Sequence, residues 1–189
     1  MNKQKALEKI AKEIEKCKIC QKGKIGKAVP GEGKSDANIV FIGEAPGKTE
    51  AQTGRPFVGR SGKYLRQLLR EIGIDEKEVF ITSPVKYLPK KGTPNGDEIA
   101  HGRIHLKKQL EIINPKIIVL MGSVAVQGVL GEKIEVLKKH GEVIVQNPST
   151  GSVQVRKYLI TFHPAYAVRF DRGKGSFKRD LEKLKALIF

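Results

Sequence analysis

The chain has 189 residues, with 36 lysines and arginines against 20 aspartates and glutamates, and so carries a formal net charge of +16. At that length one compact domain spanning 1–189 can bury its own core, and a monomer is the expectation. No apolar run reaches the about eighteen residues a membrane span needs, and the amino terminus reads as a charged amphipathic helix, which excludes a signal peptide. Two cysteines in a CxxC pair, Cys17 and Cys20, exclude a disulfide framework and fit a reducing, cytoplasmic setting. The charge excess points to a polyanionic partner. A lysine-rich solvated surface, common in thermophile-like compositions, is the plainer explanation. Nucleic acid is favoured because Lys48, Arg55, Arg60, Lys63, Lys86, Lys90, Lys91, Arg169, Arg172 and Lys174 flank the glycine-rich segment described below.

In chain order, Ala6 to Glu15 reads as a helix with Leu7, Ile10, Ala11 and Ile14 on one face, and Cys17 to Ala37 as loop. A buried strand at 38–43 breaks into Gly43-Glu44-Ala45-Pro46-Gly47, where glycine and proline leave backbone N–H groups free for a ligand. Gly54-Arg55-Pro56-Phe57-Val58-Gly59 follows, then a helix at 60–72 capped by Gly59 or Ser61. A strand at 79–83 leads to a basic loop, and Asp97 is a plausible cap for a helix running to Ile113. Lys116 to Met121 is a strand, with a short helix after Gly122-Ser123 and another from Glu132 to Lys139. Glu142 to Gln146 and Val153 to Thr161 read as a hairpin across the turn at 147–151, and the last helix is Ser176 to Leu187. Strands alternating with helices predict a three-layer α/β/α sandwich around a mainly parallel sheet of about four strands. The GEAPG segment then sits at a carboxyl strand end, where such sheets form pockets.

GEAPG followed by TGRPFVGRSGKYLRQLL resembles the first motif region of the thermophile-type (family 4) uracil-DNA glycosylases. His163-Pro164-Ala165 with Arg169 resembles that family's HPA…R motif, and the similarity covers nearly all of the chain. It implies a DNA repair enzyme that flips uracil, or a related deaminated base, out of DNA and hydrolyses its N-glycosidic bond. Phe57 then stacks beneath the base, with Ala45 and Gly47 in the binding loop. Glu44 either positions a water or binds loop amides, and Glu50 is a second carboxylate in the same loop. The His163 imidazole, or the backbone around it, donates to the uracil oxygen as charge grows there. Arg169 is a candidate phosphate clamp, and Tyr166 either wedges into the duplex or packs. No motif supplies an amine nucleophile, so a monofunctional enzyme is expected.

The sequence departs from the family at three positions. Ser83 stands where the family has an asparagine that reads the uracil edge, and a hydroxyl offers fewer contacts than an amide. The family holds a [4Fe–4S] cluster on four cysteines. Cys17 and Cys20 match two of them, whereas Tyr87 and His101 stand at the other two. His101 and His105 are four apart in a helical pattern, hence on one face, and with the CxxC pair would make a Cys₂His₂ zinc set. A residual cluster (with Tyr87, water or another group as the further ligand), zinc (with His105 as the fourth) and no metal all stay open. The segment Arg103-Ile104-His105 is also similar to the loop of a relative that traps uracil-DNA covalently, but lies within a helical pattern. A non-catalytic or base-trapping DNA-binding relative is therefore the alternative to an enzyme; intact Glu44, Phe57 and His163 favour the enzyme.

Overall fold

The unbroken apolar run Ile39-Val40-Phe41-Ile42 sets the architecture, because successive strand side chains point to opposite faces. All four are buried, so both faces of the sheet must be covered. In the computed structural model, which describes residues 2–146 and 155–188, Ile39 and Phe41 enter one core and Val40 and Ile42 another.

The elements run α1 (Lys3–Lys16), α2 (Lys18–Gln21), β1 (Lys24–Ile25), β2 (Glu32–Gly33), β3 (Ile39–Ile42), α3 (Lys48–Thr53) and α4 (Arg60–Glu71). Then come β4 (Val79–Thr82), β5 (Leu88–Pro89), α5 (Gly96–Ile113), β6 (Ile117–Met121), α6 (Ser123–Leu130) and α7 (Val136–Lys139). The described chain ends with β7 (Val143–Gln146), β8 (Arg156–Thr161), α8 (Pro164–Arg169) and α9 (Asp171–Ile188). The main sheet has the order β2-β4-β3-β6-β8-β7, and β1 and β5 form a separate two-stranded ribbon. β4, β3, β6 and β8 are parallel; β2 and β7 add antiparallel edges. Leu65, Leu68 and Leu69 of α4 and Phe177, Leu181 and Leu184 of α9 cover one face. Leu7 of α1, Leu106 and Leu110 of α5 and Val126 of α6 cover the other. This is the α/β/α sandwich expected, with the two edges added to the four parallel strands.

Other differences from the sequence reading are local. Asn95, not Asp97, caps α5: its side chain accepts from the Glu98 N–H while Glu98 returns a bond to the Asn95 N–H, the reciprocal box. The helix expected at 132–139 is the single turn α7. α9 begins five residues early, at Asp171, despite Gly173 and Gly175. Gly173 is required there, since a Cβ would lie 2.8 Å from the Tyr166 ring. The loop expected from Cys17 to Ala37 contains α2, β1 and β2, too short to carry a hydrophobic period. The turn expected at 147–151 lies outside the described residues.

Candidate active site and metal centre

Four parallel strands end on one edge of the sheet, and each delivers a motif there. β3 runs into Gly43, β4 into Ser83, β6 into Gly122 and β8 into Phe162-His163. The Gly43 N–H donates to Thr82 O and the Gly122 N–H to Thr161 O, each at 2.9 Å, so the ladders extend one residue past the strands. The GEAPG and HPA segments, more than a hundred residues apart in sequence, therefore face one another.

Phe57 is held in a backbone conformation that non-glycine residues seldom adopt, with φ at 52°. Two side chains pin it. Glu50 accepts from the Val58 and Gly59 N–H groups at 2.9 and 2.7 Å. Arg66 donates to the carbonyls of Phe57 and Pro56 at 3.1 and 3.2 Å. A carboxylate on the amides and a guanidinium on the carbonyls fix the turn from both sides and offset its strain. Gly62, in the first turn of α4, lies against the Phe57 carbonyl where any Cβ would collide. The Phe57 ring lies over Gly43, where a Cβ would strike its edge, and its centroid is 5.9 Å from that of His163.

His163 caps α8, and its Nδ1 accepts from the Ala165 N–H at 3.2 Å. Burial pushes the imidazole down to about 4, against a smaller opposing pull from the Glu50 carboxylate. The ring is therefore neutral at neutral pH, and because Nδ1 is the acceptor the proton sits on Nε2. Nε2 faces the Gly43–Phe57 wall, 3.6 Å from the position a Gly43 Cβ would occupy. Glu44 is half-buried at the strand end; desolvation raises its carboxyl above the ordinary value, opposed by a hydrogen bond from Thr93. The Ser83 hydroxyl donates to Val85 O at 2.8 Å. Tyr166 stacks on Phe162 and lies tilted against Phe170, and Arg169 is exposed on α8 over the Phe170 ring. Beside the Phe57 turn a groove of about 680 Å³ is lined by Arg60, Lys63, Tyr64 and Lys174. Arg66 and Thr93 carry no local signal that would have found them in the sequence.

Lys86, counted among the flanking cations on sequence, is buried instead. Its ammonium donates to Pro30 O, Thr82 Oγ1 and Gln109 Oε1 at 3.1, 2.7 and 2.7 Å, and burial pushes it down to about 7. Next to it, Cys17, Cys20, His101 and His105 bring one ligand atom each to within 4.8 Å of one another, so they could hold a metal ion. Cys17 closes α1 and caps α2, accepting from the Cys20 N–H at 3.4 Å, and its Sγ lies 3.2 Å from His101 Nε2. Burial, with help from Cys17, pushes the Cys20 thiol up to about 12, and burial also lowers His105. The Tyr87 hydroxyl lies 3.4 and 3.3 Å from Ile14 O and Glu15 O at the end of α1.

An open α/β sheet with glycine-rich and histidine turns at its parallel strand ends defines the class, and residues 30–185 match the model of the uracil DNA glycosylase superfamily. The chain belongs to that superfamily. Within it, a type-4 uracil-DNA glycosylase of Thermotoga maritima is 37% identical over 193 aligned positions, covering 98% of this chain and 96% of the relative. A second type-4 enzyme, from Sulfurisphaera tokodaii, is 38% identical with 96% and 84% covered. A type-5 uracil-DNA glycosylase of Pyrobaculum aerophilum is 30% identical over 74% of this chain and 66% of its own length. No helix among the described residues is long and apolar enough to cross a membrane.

Proposed function

We propose that this chain is a monofunctional DNA glycosylase of one domain and one subunit, acting in the cytoplasm. It removes uracil, or a related deaminated base, and leaves an abasic site. The carrying observation is the tautomer of His163: Nδ1 accepts the Ala165 amide, so Nε2–H is free to donate beside Phe57.

A flipped pyrimidine slides over the Phe57 ring, with the Ala45 and Gly47 backbone along its edge. As the glycosidic bond breaks, electrons move onto the base and its O2 gains negative charge. Nε2–H of a neutral imidazole stabilises that charge without first giving up a proton, and a rigid donor in a dry site needs no reorganisation. The Glu44 carboxylate orients a water and takes its proton as the oxygen bonds to the sugar C1′. Arg169 and the Arg60–Lys63–Lys174 groove track the phosphates. Lys86, the lysine pushed furthest down among the described residues, is enclosed by three acceptors and does not reach the sugar as a nucleophile.

Ser83 supports a second reading, a binding protein that grips a base without releasing it. Its proton is committed to Val85 O, so it can accept from a base N–H but not also donate to the neighbouring carbonyl. Single-turnover assays on oligonucleotides carrying uracil, hypoxanthine or xanthine separate the two. Alkali-labile product from the uracil strand supports the glycosylase. Retention of an intact strand, with tight binding and no product from any base, supports the binding protein.

A further inference from the structure

The family resemblance implies a four-iron cluster on four cysteines, and the residues present do not fit it. A [4Fe–4S] cluster takes one thiolate on each iron. Only Cys17 and Cys20 supply sulfur. Tyr87, at the third ligand position, is turned to the end of α1. Its hydroxyl is within reach of Ile14 O, Glu15 O and the Gln21 side chain, and burial keeps its proton on. At the fourth position His101 offers nitrogen.

The same corner is well suited to one ion. The four donors come from the α1–α2 junction and from two consecutive turns of α5, and lie within 4.8 Å of one another. Around a single tetrahedral zinc, bonds of ~2.3 Å to sulfur and ~2.0 Å to nitrogen put the donors ~3.3–3.8 Å apart. Cys17 Sγ and His101 Nε2 are already 3.2 Å apart, so closing the set asks only for small side-chain rotations. His105 is the independent sign. It is 7% exposed, and both of its ring nitrogens are buried with no hydrogen-bond partner among the described residues. A buried imidazole left unpaired on both sides costs free energy, and a bond to a metal removes the share that falls on the ligating nitrogen. Two thiolates also neutralise a divalent cation, which suits a corner where Cys20 and His105 are both closed to solvent.

We propose that Cys17, Cys20, His101 and His105 bind one zinc ion as a closed structural site, in place of the iron–sulfur cluster. Mixed sulfur and nitrogen donors in tetrahedral array favour zinc over harder cations. The ion ties α1 and α2 to α5 where the local core is small, made of Ile10, Ile14, Cys20 and Tyr87 with a few partly buried neighbours. The proposal does not rest on base excision, and its test reads the metal alone.

The test is elemental analysis and absorption spectroscopy of the full chain purified without chelator, followed by exchange with Co²⁺. One zinc per chain, no iron or sulfide, and the visible bands of tetrahedral thiolate-bound Co²⁺ are expected. His105→Phe, an apolar ring that fills the same space, should weaken zinc in a chelator competition by more than the ~10²-fold that losing a supporting contact costs. Tyr87→Phe should keep one zinc per chain. Iron with sulfide in the purified protein overturns the proposal, as does loss of zinc in Tyr87→Phe. If His105→Phe does not fold, alkylation of the unaltered chain decides: added zinc should protect both thiols, and equal labelling with and without zinc overturns the site.

Discussion

His163 and His105 are both enclosed imidazoles pushed down by burial, yet their surroundings differ in kind. His163 has Nδ1 satisfied by an amide two residues away, which leaves Nε2–H aimed at the Phe57 wall. His105 has neither nitrogen satisfied, and the two thiols grouped with it come from a segment over eighty residues distant. One corner is organised by local hydrogen bonds before any ligand arrives. The other is organised only when a ligand joins distant segments. The first arrangement suits chemistry, where reorganisation is the cost to avoid; the second suits structural support, where binding free energy becomes folding free energy.

The largest expected break falls in the active site. His163→Ala and Phe57→Ala should each lower the single-turnover rate on uracil-DNA by at least ~10²-fold, as loss of a preorganised donor or a stacking platform does. Wild-type-like rates in both would remove their roles. Cys17→Ser should do the opposite: leave the rate within a few-fold at moderate temperature and lower the melting temperature. A loss of ~3–5 kcal/mol corresponds to about 6–20 °C for a chain of this size. Unchanged melting would show that packing alone holds the corner.

Acid sharpens the contrast. His163 ionises at about 4 in the folded chain against 6.5 ordinarily. Below pH 6.5 the unfolded chain therefore binds a proton that the folded chain does not, and stability falls until about pH 4. The total from this group is about 3 kcal/mol at most. His163→Asn should flatten that part of a denaturation-versus-pH curve. Activity follows Glu44 instead, whose carboxyl is raised. The acid limb of the rate should lie above the ordinary carboxylate range and disappear in Glu44→Gln. An unmoved limb would assign it elsewhere.

Smaller effects should separate surface from pocket. Lys63→Ala should weaken DNA binding several-fold and reduce the salt slope by about one, measured by anisotropy across a salt series, with little dependence on the base. Ser83→Asn should raise the uracil preference over hypoxanthine and xanthine by a modest factor, since an amide can both donate and accept. An unchanged ratio would mean that position 83 does not face the base.

How much of this was legible in the sequence follows from distance along the chain. Apolar runs at 39–42, 79–82 and 117–121 marked the parallel strands because burial on both faces leaves no alternation to misread. GEAPG, PFVG and HPA marked the pocket because glycine and proline break strands locally. The start of α9 was missed because two glycines obscure a helix that packing against Tyr166 permits. Asn95 was passed over for Asp97 because the choice depends on a reciprocal bond to Glu98.

Composition, motif and strand period thus determined a basic α/β protein with a glycine-rich pocket and a cysteine pair. Three things were decided by tertiary structure alone. Arg66 and Glu50 clamp the strained Phe57 turn. Lys86 is turned inward, although its charge suggested a surface. His105 is buried with neither ring nitrogen hydrogen-bonded among the described residues. Each depends on contacts between residues far apart in sequence, and a desolvated charge or an orphaned imidazole exists only once the chain has closed around it.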